Sequence, residues 1–204
     1  MHIAIVGNIG AGKTTLATKL SQHFKWDLYL EAVDNNPYLK DFYEDMERWA
    51  FHLQVFFLNS RFNQVRQIQA TSHDVIQDRT IYEDAHIFAK NLHQSGLMSS
   101  RDYDNYFALF QSMIDMVKAP DLMIYLKADL PKLIGQIEKR NRDYESSISI
   151  NYLRNLNEHY NTWMGNYDQG KLLVIDVNNI DFVANPEDLG SIIERIQSEL
   201  FGLF

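Results

Sequence analysis

Apolar and polar residues alternate in blocks along this chain. Five short apolar runs read as buried strands: His2-Ile3-Ala4-Ile5-Val6, Leu28-Tyr29-Leu30, Val75-Ile76, Leu122-Met123-Ile124-Tyr125-Leu126 and Leu172-Leu173-Val174-Ile175. Helical patterns separate them. Strands that alternate with helices predict an α/β fold, with a five-stranded parallel sheet flanked by helices on both faces. In such sheets ligands gather beyond the carboxyl ends of the strands, so the residues that follow each strand are the candidates for chemistry. The longest helical stretch runs from about Met46 to Ala70. Trp49, Phe51, Leu53, Val55, Phe56, Phe57, Leu58, Phe62, Val65 and Ile68 surround it, which predicts cover on most sides. A second aromatic-rich stretch, Tyr103 to Val117, has the same character. Ordinary core packing accounts for both stretches; outer faces that form a helical dimer interface are the alternative.

Composition narrows the class. The length, 204 residues, suits one domain spanning 1–204. With 4 prolines and 9 glycines, and no repeat or low-complexity segment, the connections are expected to be short. No apolar run approaches the about 20 residues of a membrane span, and no basic-then-apolar leader precedes the first strand. The chain has 0 cysteines, which excludes a disulfide framework and thiolate metal sites. Together these features lead to the expectation of a cytoplasmic protein without membrane partners. A net charge of −8 lacks the basic footprint of a nucleic-acid binder. It leaves room for a local basic pocket around a small phosphorylated ligand.

The first strand runs directly into Gly7-Asn8-Ile9-Gly10-Ala11-Gly12-Lys13-Thr14, which spells G-x-x-x-x-G-K-[ST]. Thr15-Leu16-Ala17-Thr18-Lys19-Leu20 follows at helical spacing. Strand, glycine-rich loop and helix is the context a phosphate-binding loop requires. The glycines let several N–H groups point at one anion, and the helix N-terminus adds partial positive charge. Lys13 can reach the outer phosphates and the Thr14 hydroxyl can ligate Mg²⁺. A nucleoside triphosphate is the expected ligand.

The remaining strand ends supply an acceptor side. Glu31 follows the second strand; a carboxylate there can serve as general base toward a hydroxyl, although an isolated Glu in that position is more often solvated or a helix cap. Asp78-Arg79-Thr80 follows the third strand. Asp78 can hold Mg²⁺ directly or through water, and Arg79 can bridge Glu31 and a transferred phosphoryl group; a structural ion pair capping the next helix is the alternative. Lys139-Arg140-Asn141-Arg142, at the end of a helical pattern, is either a cation-decorated C-terminus or a lid whose arginines close on a triphosphate. The phosphate loop favours the lid, at about residues 140–149. Gln54 and Arg61, seven residues apart on the long helix, lie near one face. Gln54 can pair with an adenine edge, and Asp84 offers an acceptor for an exocyclic amine. Buried Gln–Arg–Asp networks are also often purely structural. The histidines show no metal-ligand spacing. A GTPase is excluded by the lack of D-x-x-G and of the lysine of N-K-x-D in Asn178-Asn179-Ile180-Asp181.

In order and spacing these segments resemble the deoxynucleoside kinase family along most of the chain. The residues that carry the resemblance are Gly7 to Thr14, Glu31-Ala32-Val33, Tyr43 to Gln54 with Glu47-Arg48-Trp49, Arg61, Asp78-Arg79-Thr80-Ile81-Tyr82-Glu83-Asp84, Ile87-Phe88-Ala89 with Asn91-Leu92, Arg140-Asn141-Arg142-Asp143-Tyr144-Glu145, and Asp176-Val177-Asn178 with Asp181-Phe182. The resemblance implies a P-loop kinase fold and ATP–Mg²⁺-dependent phosphorylation of a nucleoside 5′-hydroxyl. It implies that Glu31 is the base, that Arg79 positions hydroxyl and phosphoryl group, and that Asp78 and Thr14 serve Mg²⁺. Tyr43 and Glu145 would hold the sugar 3′-hydroxyl. Gln54, Arg61 and Asp84 would read the base and Phe88 would stack on it. Arg140 and Arg142 would be lid arginines, Asp181-Phe182 would flank the adenine of ATP, and the assembly would be a homodimer built on a helical bundle. Two motifs depart from the family pattern: Glu31-Ala32-Val33 stands for Glu-Pro-Val, and Asp78-Arg79-Thr80 for Glu-Arg-Ser. Both keep the functional groups. An Arg61–Asp84 pair suits a base with an exocyclic amine, so deoxyadenosine is favoured, with deoxycytidine or deoxyguanosine as alternatives. A nucleoside monophosphate kinase would need more cations at the acceptor. A non-catalytic nucleotide-binding regulator would lack Glu31 or Arg79.

Overall fold

The structure, a computed structural model, describes residues 1–31, 36–142 and 148–202. The five apolar runs become β1 (His2–Gly7), β2 (Asp27–Tyr29), β3 (Val75–Asp78), β4 (Leu122–Lys127) and β5 (Lys171–Asp176). They pair in parallel in the order β2-β3-β1-β4-β5. The chain fills the β2–β3 side of β1 first and the β4–β5 side afterwards. Winding therefore changes direction beside β1, and the glycine-rich loop after β1 occupies the crevice this creates. Register completes the placement, because Ile5 lies opposite Asp78 and brings the end of β3 level with the loop.

The helices are α1 (Lys13–Phe24), α2 (Leu39–Glu44), α3 (Met46–Ala70), α4 (Ile81–Glu83), α5 (Lys90–Gln94), α6 (Ser100–Ile114), α7 (Leu130–Arg140), α8 (Ile150–Gly165) and α9 (Pro186–Phe201). A π-helical turn, Asp84–Ala89, joins α4 to α5. Alternate strand residues face opposite layers. Ile3, Ile5 and Ile124 pack with Leu16 and Leu20 of α1 and with Ile192 and Ile196 of α9. Val6, Met123 and Tyr125 face the other layer, with Leu58 of α3, Phe110 of α6 and Leu156 and Tyr160 of α8. Phe42 of α2, Leu53 and Leu92 form a smaller cluster under the long helix.

The long helix has the bounds its pattern predicts. Asp45 ends the preceding turn and caps it, its carboxylate accepting from Arg48 N at 3.2 Å. Its aromatic side chains are only partly covered: Phe51, Phe56, Phe57 and Phe62 are half-buried. The second aromatic helix begins at Ser100 and stops at Ile114, short of Val117. Ser99 sets its start by accepting from Asp102 N. The second strand is shifted by one residue from its apolar run: its pairing with β3 spans Asp27 to Tyr29, and Leu30 lies beyond it, 42% exposed. Among the described residues, no helix is long and apolar enough to cross a membrane.

Glycine in the loop after β1 answers to packing as well as to backbone freedom. Gly10 has φ 86° and Gly12 φ 93°. A Cβ on Gly10 would stand 2.7 Å from Leu133 O, and one on Gly12 2.9 Å from the Phe182 ring. The loop is thus seated against α7 and the segment after β5. Gly12→Ala combines left-handed backbone strain with overpacking. It is expected to lower stability by about 1–3 kcal/mol, read as a lower urea midpoint at unchanged slope. A midpoint equal to that of the wild type would show that Phe182 gives way freely.

Candidate active site

The loop after β1 is anchored from three sides. The Asn8 amide donates to Leu153 O at 3.0 Å and to Asn157 Oδ1 at 3.1 Å, while its oxygen accepts from Ile9 N. Asn8 thereby ties the loop to α8. Lys13 turns back along the loop, Nζ donating to Asn8 O at 2.9 Å. Burial, with Arg79 as a neighbouring cation, pushes the Lys13 amine down to about 7. The Thr14 hydroxyl donates to Asp78 Oδ2. The second oxygen, Asp78 Oδ1, is buried without a hydrogen-bond partner among the described residues.

Beyond Lys13, one carboxylate is shared by two arginines. Glu31 Oε1 accepts from Arg61 Nη2 at 2.8 Å, and Glu31 Oε2 from Arg79 Nε at 3.2 Å. Arg61 comes from α3 and is almost sealed, with 2% side-chain exposure. It also donates to Asp78 O at 3.1 Å and lies 3.6 Å from Asp84 Oδ2. Burial alone would push Glu31 up; Arg79, Arg61 and Lys13 outweigh it and hold the carboxyl at about 2. For Asp84 burial wins over Arg61, and its carboxyl is pushed up to about 7. Two carboxyls beside one guanidinium therefore differ in charge near neutrality.

Glu31, Asp78, Arg79 and Asp84 open onto a cavity of about 200 Å³, whereas Arg61, expected to read the base, sits behind them and does not line it. The phosphate-loop residues Ile9, Gly10, Lys13 and Thr14 line one end. Glu31, Asp78 and Arg79 lie along it, followed by Tyr43, Gln54, Asp84 and Phe88. Apolar walls come from Phe42, Leu53 and Phe57. Arg140 and Arg142, at and just beyond the end of α7, also border the cavity. Phe88 lies under Arg79, whose guanidinium carbon is 4.7 Å from the ring centre. The π-helical turn places both Asp84 and Phe88 on the cavity wall.

The other sequence-derived candidates fall at the edges. Thr15, Asp181 and Phe182 border a second depression of about 50 Å³ beside Gly12. The Asp181 carboxylate accepts from Ala184 N and Val183 N, and these bonds lower its pKa. Ala32, Val33, Glu145 and the middle of the lid stretch lie outside the described residues. Sequence reasoning passed over Glu83 as a site residue and missed Tyr160 altogether. Glu83 is fully buried, accepts from Tyr160 Oη at 2.6 Å and pairs with Arg79 at 3.5 Å. Thr80-x-x-Glu83 is a capping-box pattern that marks Glu83 from sequence. Nothing local marks Tyr160, which is 77 residues away. Tyr152, another unforeseen residue, borders the cavity from α8.

The site can thus cradle phosphates at one end and an apolar, hydrogen-bonding group at the other, with a carboxylate and an arginine between. Comparisons with known proteins agree. The chain is 44% identical over 193 residues to a deoxyadenosine kinase of Dictyostelium discoideum, a match covering 95% of this chain and 78% of the relative. It is 36% identical to the deoxyadenosine/deoxycytidine kinase of Bacillus subtilis, covering 96% and 91% of the two chains. Deoxyadenosine kinase from M. mycoides with bound dATP superposes with a TM-score of 0.86 at 29% identity, over 97% of this chain and 100% of that one. The deoxynucleoside kinase family model matches residues 3–201, and the protein belongs to the deoxynucleoside kinase family.

Proposed function

We propose that this kinase transfers the γ-phosphoryl group of ATP to the 5′-hydroxyl of a deoxynucleoside, with deoxyadenosine preferred. One observation carries the reading. At the end of the cavity away from the phosphate loop, Gln54 Oε1 and Asp84 Oδ2 are buried without hydrogen-bond partners among the described residues, Asp84 Oδ2 having Arg61 Nε only at 3.6 Å. Unpaired buried polar atoms are costly and call for a ligand that pairs them. The acceptors suit an exocyclic amine, which adenine and cytosine present and thymine lacks. The deoxyadenosine kinases among the relatives support adenine. The apolar wall and Phe88 would pack on the base, and Tyr43 would bind the sugar.

At the other end the loop from Gly7 to Thr15 would bind the triphosphate through the Lys13 ammonium and the backbone N–H groups of Gly10 and Gly12 to Thr15, those of Gly7, Ile9 and Ala11 being held by Glu83 and Asn8. Arg140 and Arg142 would close on it, and Asp181-Phe182 would flank the donor's adenine. The residues fit Mg²⁺, since the Thr14 hydroxyl is bound to one oxygen of the Asp78 carboxylate and the other oxygen is buried without a hydrogen-bond partner among the described residues. Held there, the ion would supply charge neutralisation at the phosphates, keeping water and phosphate oxygens as its other ligands. Glu31 orients the 5′-hydroxyl. Arg79 spans Glu31 and the transferred group. As the oxygen–phosphorus bond forms, the hydroxyl proton passes to Glu31 and ADP departs. A carboxylate held near 2 is a weak base. It therefore takes the proton late, which suits the loose transition state of phosphoryl transfer.

A neutral acceptor fits better than a nucleoside monophosphate, because Arg61 and Arg79 are both already paired with Glu31. A homodimer through the outer faces of α3 and α6 is supported by half-buried Phe62 and by Leu109, which is 41% exposed. Dependence on ATP fits a cytoplasmic protein.

A coupled assay should show turnover with deoxyadenosine, less with deoxycytidine or deoxyguanosine, little with thymidine and none with deoxyadenosine monophosphate. Preference for the monophosphate would replace this reading with the monophosphate kinase. Glu31→Gln should lower kcat by about 10²–10⁴-fold while the calorimetric affinity for deoxyadenosine changes little. A fully active Glu31→Gln would remove Glu31 from the proton transfer.

Lys13 offers a separate handle. Its amine, at about 7 in the free protein, must be charged to face phosphates, so binding raises its pKa. ADP binding at about pH 8 should then take up about 0.9 proton per site, falling toward lower pH. Calorimetry in two buffers of different ionisation enthalpy measures it. No uptake in the wild type, or equal uptake in Lys13→Met, would contradict the role given to Lys13.

A further inference from the structure

Arg79 carries the reaction proposed above, and its setting is unusual. Its backbone lies at φ 69°, a left-handed conformation disfavoured for a residue with a Cβ. Surrounding contacts must hold it there. On one side Arg79 Nε donates to Glu31. On the other, Nη1 donates to the Tyr160 hydroxyl at 3.3 Å, and Tyr160 donates its own proton to Glu83 Oε1 at 2.6 Å. Glu83 Oε1 also accepts from Gly7 N at 3.3 Å, and Oε2 from Thr80 N at 2.8 Å.

Every partner of Glu83 donates, so the arrangement holds a carboxylate even though burial raises its pKa. The hydrogen bonds then run one way, from the Arg79 cation through Tyr160 to the Glu83 anion. Through Gly7 N, the same anion grips the first residue of the phosphate loop. Glu83 and Tyr160 are both fully buried and neither borders the cavity, so neither meets the substrate. A buried ionised group stabilises a fold no better than a well-packed apolar one. Its effect is to be sought in where it places Arg79.

We propose that Glu83 and Tyr160 are positioning residues that fix Arg79 against Glu31 and the phosphate loop, and so govern the chemical step while leaving nucleoside binding nearly unchanged. This rests on the role given to Arg79 under the proposed function.

Tyr160→Phe removes one oxygen and keeps the ring stacked on Tyr125 at 5.8 Å. Its kcat with deoxyadenosine should fall about 10- to 100-fold. KM and the calorimetric Kd for deoxyadenosine should stay within about twofold of wild type. Glu83→Gln, which turns a donor toward N–H groups, should show the same split. In an Arg79→Lys background Tyr160→Phe should add little, because its route is already gone. Unchanged kcat with only a lower melting temperature would make the pair structural and overturn the proposal. So would a loss carried by Kd, or a full multiplicative loss on top of Arg79→Lys. If one variant does not fold, the other decides the question. Wild-type protein that phosphorylates no nucleoside would defeat the proposed function itself. Active wild type with both variants fully active would defeat only the positioning role.

Discussion

Two guanidinium groups share one carboxylate at the buried end of the sheet, and the geometry of the site follows from that pairing. Arg61 and Arg79 are each almost excluded from solvent, and a buried cation without a matched anion is strongly unfavourable. Glu31 satisfies both only where three segments meet: the loop after β2, the inner face of α3 and the turn after β3. The sheet order makes β2 and β3 neighbours, and the Ile5–Asp78 register sets the height of that turn against the phosphate loop. Asp84 and Glu83 then complete the charge match from the helical segment that begins at Ile81. Replacing Glu31 with an apolar residue would leave Arg61 and Arg79 with only their longer pairs to Asp84 and Glu83, so these segments are coupled electrostatically as well as by packing.

Much of this was legible in the sequence because the determinants are local. Five apolar runs gave five strands, since a doubly covered sheet needs continuous apolar stretches. Met46 to Ala70 was legible as one helix because Asp45 caps it and no glycine or proline interrupts it. The P-loop and the strand-end carboxylates were legible because their spacing is set by the strand–loop–helix connection itself. What stayed hidden depends on distant contact. Tyr160 reaches Glu83 from α8, and no short-range pattern records that meeting. The π-helical turn at Asp84–Ala89 was equally hidden, because Asp84-Ala85-His86-Ile87-Phe88-Ala89 has an ordinary helical composition. The second role of Gly10 and Gly12, making room for Leu133 O and Phe182, was masked by their role in a phosphate motif.

The two carboxyls beside Arg61 show how one cation can support different tasks. Glu31 remains partly exposed to the cavity and gains Arg79 and Lys13 as further cations, so it stays ionised far below neutrality. Asp84 is sealed, has Arg61 at a longer distance, and feels Glu31 and Glu83 as repelling anions. Its carboxyl therefore titrates near 7, between acceptor and donor. Environment alone separates the two. An ionised group at the hydroxyl end and one only partly ionised near neutrality at the base end limit the negative charge in the cavity as a triphosphate enters beside it. Such an arrangement tolerates a polyanionic donor and an uncharged acceptor together. An acceptor that brought its own phosphate would have to break the Glu31 pairs to find a cation.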